Sequence, residues 1–257
     1  MPTAPETLDG RVSIQEGFVW DAQDAYLFDI DGTLLRSRDR IHVDSFAISV
    51  REVTGFEVSL TGVVLNGATD TAILREAFLL AGIPSEAWEP QHEAILQAMR
   101  QSVMARRSEM DLWTMPGVER ALAHLAVKGA LLGLATGNLE LIGWTKVEEV
   151  GLREWFRFGG FSDGFPVRSA LVRDAAAKAR ELMPDCKSPN ICVVGDTPRD
   201  IEAARANSLP VIAVATGHYS FDELAAHEPE VCASSLTALL AFTDESDSTA
   251  RSDGVRG

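Results

Sequence analysis

The chain has 257 residues, 46% of them hydrophobic, enough for one large core or a core carrying a smaller insert. A formal charge of -15, with Arg106–Arg107 as its one basic dipeptide, excludes the basic footprint of a nucleic-acid binder. No apolar run approaches a membrane span, and the N-terminus has neither the basic start nor the apolar core of a secretion signal; with three scattered cysteines, Cys186, Cys192 and Cys232, the profile reads as cytoplasmic.

Residues 1–23 are mixed and polar and read as a loosely held lead-in. The first confident element is the apolar run AYLFDI (25–30), a buried strand that closes with DIDGT. Two acids, Asp29 and Asp31, thus end a hydrophobic strand, where an unpaired carboxylate costs several kcal/mol or titrates to neutrality. From 41 to 113 no confident strand occurs. Three helical patterns fill this stretch, and Gly55 and Gly82 follow the first two where helix C-caps are expected. In NGATD (66–70), Thr69 or Asp70 suits the N-cap of the second of these helices.

Strands and helices then alternate. Apolar runs at 130–136, 156–160, 190–196 and 210–216, with a weaker one at 230–234, enclose helical patterns at 118–129, 140–151, 169–183 and 199–208. This alternation predicts an α/β fold, a Rossmann-like parallel sheet covered by helices on both faces. The block at 41–113 becomes an inserted α-helical lid. The expected divisions are a discontinuous core of 1–40 and 114–242, a cap of 41–113, and a disordered tail of 243–257.

Ligands of open parallel sheets bind at the carboxyl ends of the strands. Here those ends read DIDGT, ATGN and GDTPRD. Asp29, Asp31 and Asp196 could converge on a hard cation, and Mg²⁺ suits a few carboxylates with phosphate oxygens and water. Asp29 could then attack phosphorus, and Asp31 could give and take a proton. Thr136, with the amides of Gly137 and Asn138, offers donors for a phosphate.

DIDGT, ATGN and GDTPRD, in this order, resemble motifs I, II and IV of the haloacid dehalogenase superfamily of Mg²⁺-dependent phosphohydrolases. The resemblance runs from about residue 24 to 242, and the lid is similar to the helical cap of the phosphoglycolate phosphatase and β-phosphoglucomutase-like branch. It implies an aspartyl-phosphate on Asp29 and acid/base work at Asp31. It also implies a Mg²⁺ site built from the Asp29 carboxylate, the Asp31 carbonyl and Asp196, with Asp200 close behind. Motif III departs from the usual pattern, since no lysine stands at the start of the helix before GDTPRD. Arg168, at about the right distance from Asp196, is the expected stand-in, with Arg173 second; Asp163 could orient it, but reads first as a plain loop acid.

The cap holds no lysine between Ile41 and Trp113, which argues against phosphonate hydrolysis by Schiff-base chemistry. His42, eleven residues after Asp31, reads as a hinge or surface residue, with substrate contact as the alternative. Arg75, Arg106 and Arg107 are the cap's candidates for an anionic substrate tail, and each reads first as a solvated charge. The expected function is Mg²⁺-dependent hydrolysis of a small phosphorylated metabolite, with no nucleic acid or membrane as partner. A sugar phosphomutase and a catalytically silent binding module remain as rivals.

Overall fold

The computed structural model describes residues 10–243; the expected tail, apart from Thr243, lies outside the described residues. Seven strands form one sheet and two form a short ribbon. The lead-in is more structured than its composition predicts. Within it, β1 (Val12–Ile14) pairs antiparallel with the last strand of the sheet, and Trp20 and Asp21 are buried. Its polar residues hid this strand, because an edge strand of three residues carries almost no periodicity.

β2 (Ala25–Phe28) is buried along its whole length. Tyr26 and Phe28 enter the apolar cluster on one face of the sheet, Ala25 and Leu27 the cluster on the other. That two-sided burial is why the run is continuously apolar rather than alternating. The chain then makes β3 (Leu35–Ser37) and enters a helical block. This comprises α1 (Ile41–Thr54), α2 (Asp70–Leu80), the single turn α3 (Ser85–Trp88) and α4 (His92–Ala105). Gly55 caps α1 at φ 75°, with its N–H bonded to Arg51 O, as predicted. Thr69, not Asp70, is the N-cap of α2, accepting from the Ala72 N–H.

β4 (Leu112–Thr114) brings the chain back beside β3, in register Leu35↔Thr114. This antiparallel ribbon stands at the two crossings between sheet and helical block. Sequence periodicity missed it, since both strands are three residues long.

The rest follows the predicted alternation: α5 (Val118–Val127), β5 (Leu131–Ala135), α6 (Glu140–Glu149), β6 (Phe158–Gly160), α7 (Arg168–Leu182), β7 (Ile191–Gly195), α8 (Pro198–Ala206), β8 (Val211–Val214), the short α9 (Phe221–Ala225) and β9 (Val231–Ala233). The sheet order is β1-β9-β8-β7-β2-β5-β6, parallel except at β1. Leu122 and Leu125 of α5 and Val147 of α6 pack on one face, α7 and α8 on the other. β2 lies between β5 and β7, so the ends of these three strands, Asp29, Thr136 and Asp196, come together at one edge of the sheet.

The helical block has its own apolar cluster around Phe46, Phe78, Trp88 and Met99, which also takes in Leu139 and Ile142 from the neighbourhood of α6. The Phe78 and Trp88 rings stack 4.5 Å apart at 4°. Phe78→Ala should therefore lower the free energy of unfolding by roughly 3–5 kcal/mol in a urea titration; a loss below about 1 kcal/mol would contradict this packing.

Candidate active site

The site begins where β2 runs out. The Asp29 N–H still bonds to Val194 O at 2.9 Å, continuing the ladder by one residue, and its side chain is buried. The chain then turns through Gly32 at φ 90°. A Cβ at Gly32 would lie 2.4 Å from Asp196 Oδ2, and one at Gly217 only 1.7 Å from it. Both glycines are absent side chains that make room for the Asp196 carboxylate. Asp196 follows β7, and its Oδ1 accepts from the Thr33 hydroxyl at 2.8 Å.

The TPRD sequence after Asp196 is a capping box at the start of α8. The Thr197 side chain accepts from the Asp200 N–H, while Asp200 Oδ2 accepts from the Thr197 N–H at 3.0 Å and its hydroxyl at 2.7 Å. The cap fixes Asp200 behind Asp29 and Asp196. Carboxylate oxygens of these three buried acids lie within 4.8 Å of one another.

Arg168, the first residue of α7, reaches into this cluster as predicted. Its Nη2 stands 2.9 Å from Asp29 Oδ1 and 2.6 Å from Asp200 Oδ1, and Nε donates to the same Asp200 oxygen at 2.9 Å. Arg173 is exposed and does not join the site. Asp163 does not orient Arg168. It accepts instead from Arg100 Nη2 at 2.8 Å and from the Glu140 N–H.

Three acids face one guanidinium. Burial pushes the Asp29 carboxyl up to about 6; Arg168 opposes the rise, while Asp200 and Asp31 add to it. Asp196 is pushed well above the usual carboxylate range by burial and by Asp29 and Asp200. The excess negative charge, carried on hard oxygen donors, fits a divalent cation. Asp200 already has both oxygens engaged by Arg168 and Thr197, so Asp29 and Asp196 are the better-placed carboxylates.

Asp31 faces elsewhere. Lys146 Nζ donates to Asp31 Oδ1 and Oδ2 at 2.8 and 2.7 Å, and Asn138 Nδ2 donates to Oδ2 at 2.8 Å. The Asp31 side chain is open to the cavity; desolvation there raises the carboxyl, but the Lys146 ammonium, the His42 ring and these hydrogen bonds outweigh it and hold it below its ordinary value. Thr136 Oγ1 accepts from Asn138 Nδ2 at 2.8 Å, which leaves the hydroxyl proton available to a ligand. Gly137 passes close under the cap: a Cβ there would lie 2.1 Å from Ala68 O.

Lys146 is the residue that sequence reasoning missed. It sits on α6 and is buried to 4% exposure, which is rare for a lysine without a dedicated partner. Its other neighbours are Asn138 Oδ1 at 2.8 Å and His42 Nδ1 at 3.1 Å. His42 Nε2 in turn lies 3.0 Å from Asp70 Oδ2, which also accepts from the Leu139 N–H at 2.8 Å. His42 therefore lines the site rather than the surface, and Asp70 is a partner to it rather than a helix cap. The usable signal was Lys146 lying eight positions after Asn138, about two helical turns along the helix that follows ATGN.

The cap loop rests on the core through the Asp70 N–H to Gly137 O, Thr69 Oγ1 to Pro166 O, and Arg168 Nη1 to Gly67 O. Between them lies a cavity of about 260 Å³, lined on the core side by Asp29, Asp31, Thr136, Asn138, Lys146 and Arg168.

The raised Asp29 value makes a stability prediction. In metal-free protein the folded state keeps a proton that the unfolded chain surrenders between about pH 4 and pH 6, so stability falls as pH rises through that window. Relative to Asp29→Asn, the wild type should lose on the order of 2–3 kcal/mol between those limits in EDTA-treated samples. Parallel curves for the two proteins would contradict the assignment.

The comparisons with known proteins agree with this geometry. The family model for haloacid dehalogenase-like hydrolase matches residues 23–207. A phosphoglycolate phosphatase of Agrobacterium fabrum is 25% identical over 217 residues, covering 83% of this chain and 89% of that protein. One from Mesorhizobium japonicum is 31% identical over 124 residues, 48% of this chain and 53% of that protein. Among solved structures, a haloacid dehalogenase-like family protein of Streptococcus pneumoniae superposes with a TM-score of 0.56 at 20% identity, covering 86% of this chain and 98% of its own. CbbY of Rhodobacter sphaeroides, in complex with phosphate, gives 0.56 at 18% identity, over 77% and 88% of the two chains. The parallel sheet, the acids at its strand ends and the family match over most of the chain lead to one conclusion: this protein belongs to the haloacid dehalogenase-like hydrolase family.

Proposed function

We propose that the protein is a Mg²⁺-dependent phosphatase that hydrolyses a small phosphomonoester through a phosphoaspartate on Asp29. The observation that carries this reading is the buried pairing of Asp29 with Arg168 inside a cluster of three carboxylates. A nucleophile, a fixed cation to meet phosphoryl oxygens and a donor set for a metal occur together at the floor of one cavity. The same division of the chain, a core of 1–40 and 114–242 with a cap of 41–113, is part of the proposal.

Asp29 attacks phosphorus, and the bond to the leaving oxygen breaks. Asp31, a carboxylate in the free enzyme, passes to that oxygen the proton that the substrate's phosphate monoanion brings with it. In the second step Asp31 takes a proton from water, whose oxygen attacks phosphorus and breaks the bond to Asp29, releasing phosphate. Lys146 and Asn138 hold Asp31 as a carboxylate, the form needed for the second step. Arg168 and the Thr136 hydroxyl meet the transferring phosphoryl oxygens, with the amides of Gly137 and Asn138 beside them. Mg²⁺ on Asp29, Asp196 and the Asp31 carbonyl, with Asp200 behind, would offset the charge that gathers as phosphate meets three acids. The cap loop at 66–70 covers the cavity and limits water during transfer.

His42 favours a second reading. It lines the cavity from the cap and touches Lys146, so a phosphomutase, which returns the phosphoryl group to a second hydroxyl, stays in play. Interconversion of sugar-phosphate isomers faster than phosphate release would select it.

Purified protein should release p-nitrophenol from p-nitrophenyl phosphate only with Mg²⁺ present, and Asp29→Asn should abolish turnover. Lys146→Met should lower kcat at least tenfold while changing KM less, because it loosens Asp31 rather than the phosphate grip. Well-folded wild type with no turnover would favour the silent module instead.

A further inference from the structure

The walls of the cavity say something about the other half of the substrate. This step rests on the phosphatase reading above and concerns what the phosphoryl group is attached to. Beyond the phosphate end, the cap and ribbon line the cavity with Val43, Phe46, Leu65, Ile73 and Leu112. Ser37, Asp39 and Asn66 stand among them as polar groups, with His42 and Asp70 paired to each other. Asp39 is held in place by the Ile41 N–H at 2.9 Å and the Asp111 N–H at 2.8 Å. Burial raises this carboxyl, but the two backbone donors, with Ser37 and the Lys146 ammonium adding to them, hold it below its ordinary value, so the wall carries a negative charge.

The cations of the cavity are already engaged by protein partners. The Lys146 ammonium has three hydrogens, and both Asp31 oxygens and Asn138 Oδ1 accept from it, with His42 Nδ1 3.1 Å away. His42 has its other nitrogen on Asp70. Arg168 is occupied by Asp29, Asp200 and Gly67 O at the phosphate end.

The cap's arginines, candidates for an anionic tail on sequence grounds, turn away from the cavity. Arg75 pairs with Glu89 at 3.7 Å and Arg106 with Glu109 at 3.1 Å. Arg107 pairs with Glu148 and Glu149, and Arg100 with Glu93 and Asp163. Among the described residues, none of these four lines the cavity.

We infer that the substrate is a phosphomonoester of a small uncharged alcohol, with an apolar face against Phe46 and Ile73, and no second anionic group. A carboxylate on the leaving group would enter a partly apolar space beside Asp39 without a counter-ion, and would lose its hydration there. A hydroxyl or amide can instead donate to Asp39 or bond to Asn66. The cavity of about 260 Å³ also lies below the range for drug-sized ligands, which favours a short alcohol. The inference separates this chain's substrate from the one in the names of its curated relatives.

The test compares 2-phosphoglycolate with its amide, 2-phosphoglycolamide, which differs in charge but hardly in size. With Mg²⁺ at pH 7, kcat/KM for the amide should exceed that for the acid at least tenfold, about 1.4 kcal/mol of discrimination. Installing a cation by Leu112→Lys should reverse the preference towards the acid by a similar factor. The ratio of the two rates does not depend on how much of a variant is folded, and Val43→Lys gives an independent wall position. An acid-to-amide ratio of one or more in the wild type would overturn the inference while leaving the phosphatase reading intact. Release of phosphate from neither compound, nor from p-nitrophenyl phosphate, would remove the phosphatase reading and the inference with it.

Discussion

Placing two carboxylates at the buried ends of adjacent strands and a third in the first turn of α8 imposes the constraint on which the rest of the site depends. Asp29, Asp196 and Asp200 lie within 4.8 Å of one another, and a single guanidinium faces them. Like charges this close and this dry cannot all ionise without further compensation. Several features of the chain answer that constraint. Arg168 is the first residue of α7, Thr33 donates to Asp196, and the α8 capping box engages Asp200. Gly32 and Gly217 leave the volume that Asp196 occupies. Backbone and side chains are arranged around charge, with packing second.

A second polar centre lines the same cavity and differs in composition. Asp31, Lys146, Asn138, His42 and Asp70 alternate acid, cation, amide, ring and acid from core to cap. Two of its members, His42 and Asp70, come from the start of cap helices, while the others belong to the sheet end and α6. The cap therefore contributes to the polar network around Asp31 as well as covering it. Moving the cap loop away would break the Asp70 bonds to Gly137 O and from the Leu139 N–H. Access to the cavity and order around Asp31 are coupled through those bonds.

Much of this was legible from the chain. The strand ends DIDGT, ATGN and GDTPRD carried the site because short motifs at sheet ends are local in sequence, and Arg168 could be found by its distance from Asp196. The parallel order followed from alternating strand and helix patterns. Lys146 left only its spacing from Asn138 as a signal. Its partners are 115, 104 and 8 residues away, and its spacing matches an ordinary helix position. His42 was likewise misplaced at the surface, since its partner Asp70 lies 28 residues on in another helix. The orienting role weighed for Asp163 fell away for the opposite reason: it is near Arg168 in sequence, but Arg100 and the Glu140 N–H claim it. The ribbon β3/β4 and the edge strand β1 were too short for periodicity to show them.

The central claim is that Asp29 itself carries the phosphoryl group. The most direct test is to mix enzyme with acetyl phosphate and Mg²⁺, quench in acid within the first turnover, and map the modified peptide by mass spectrometry. The account predicts a phosphoryl group on the peptide spanning LFDIDGTLL, at Asp29. Phosphate release with no modified peptide, or a phosphoryl group on any other residue, would contradict it.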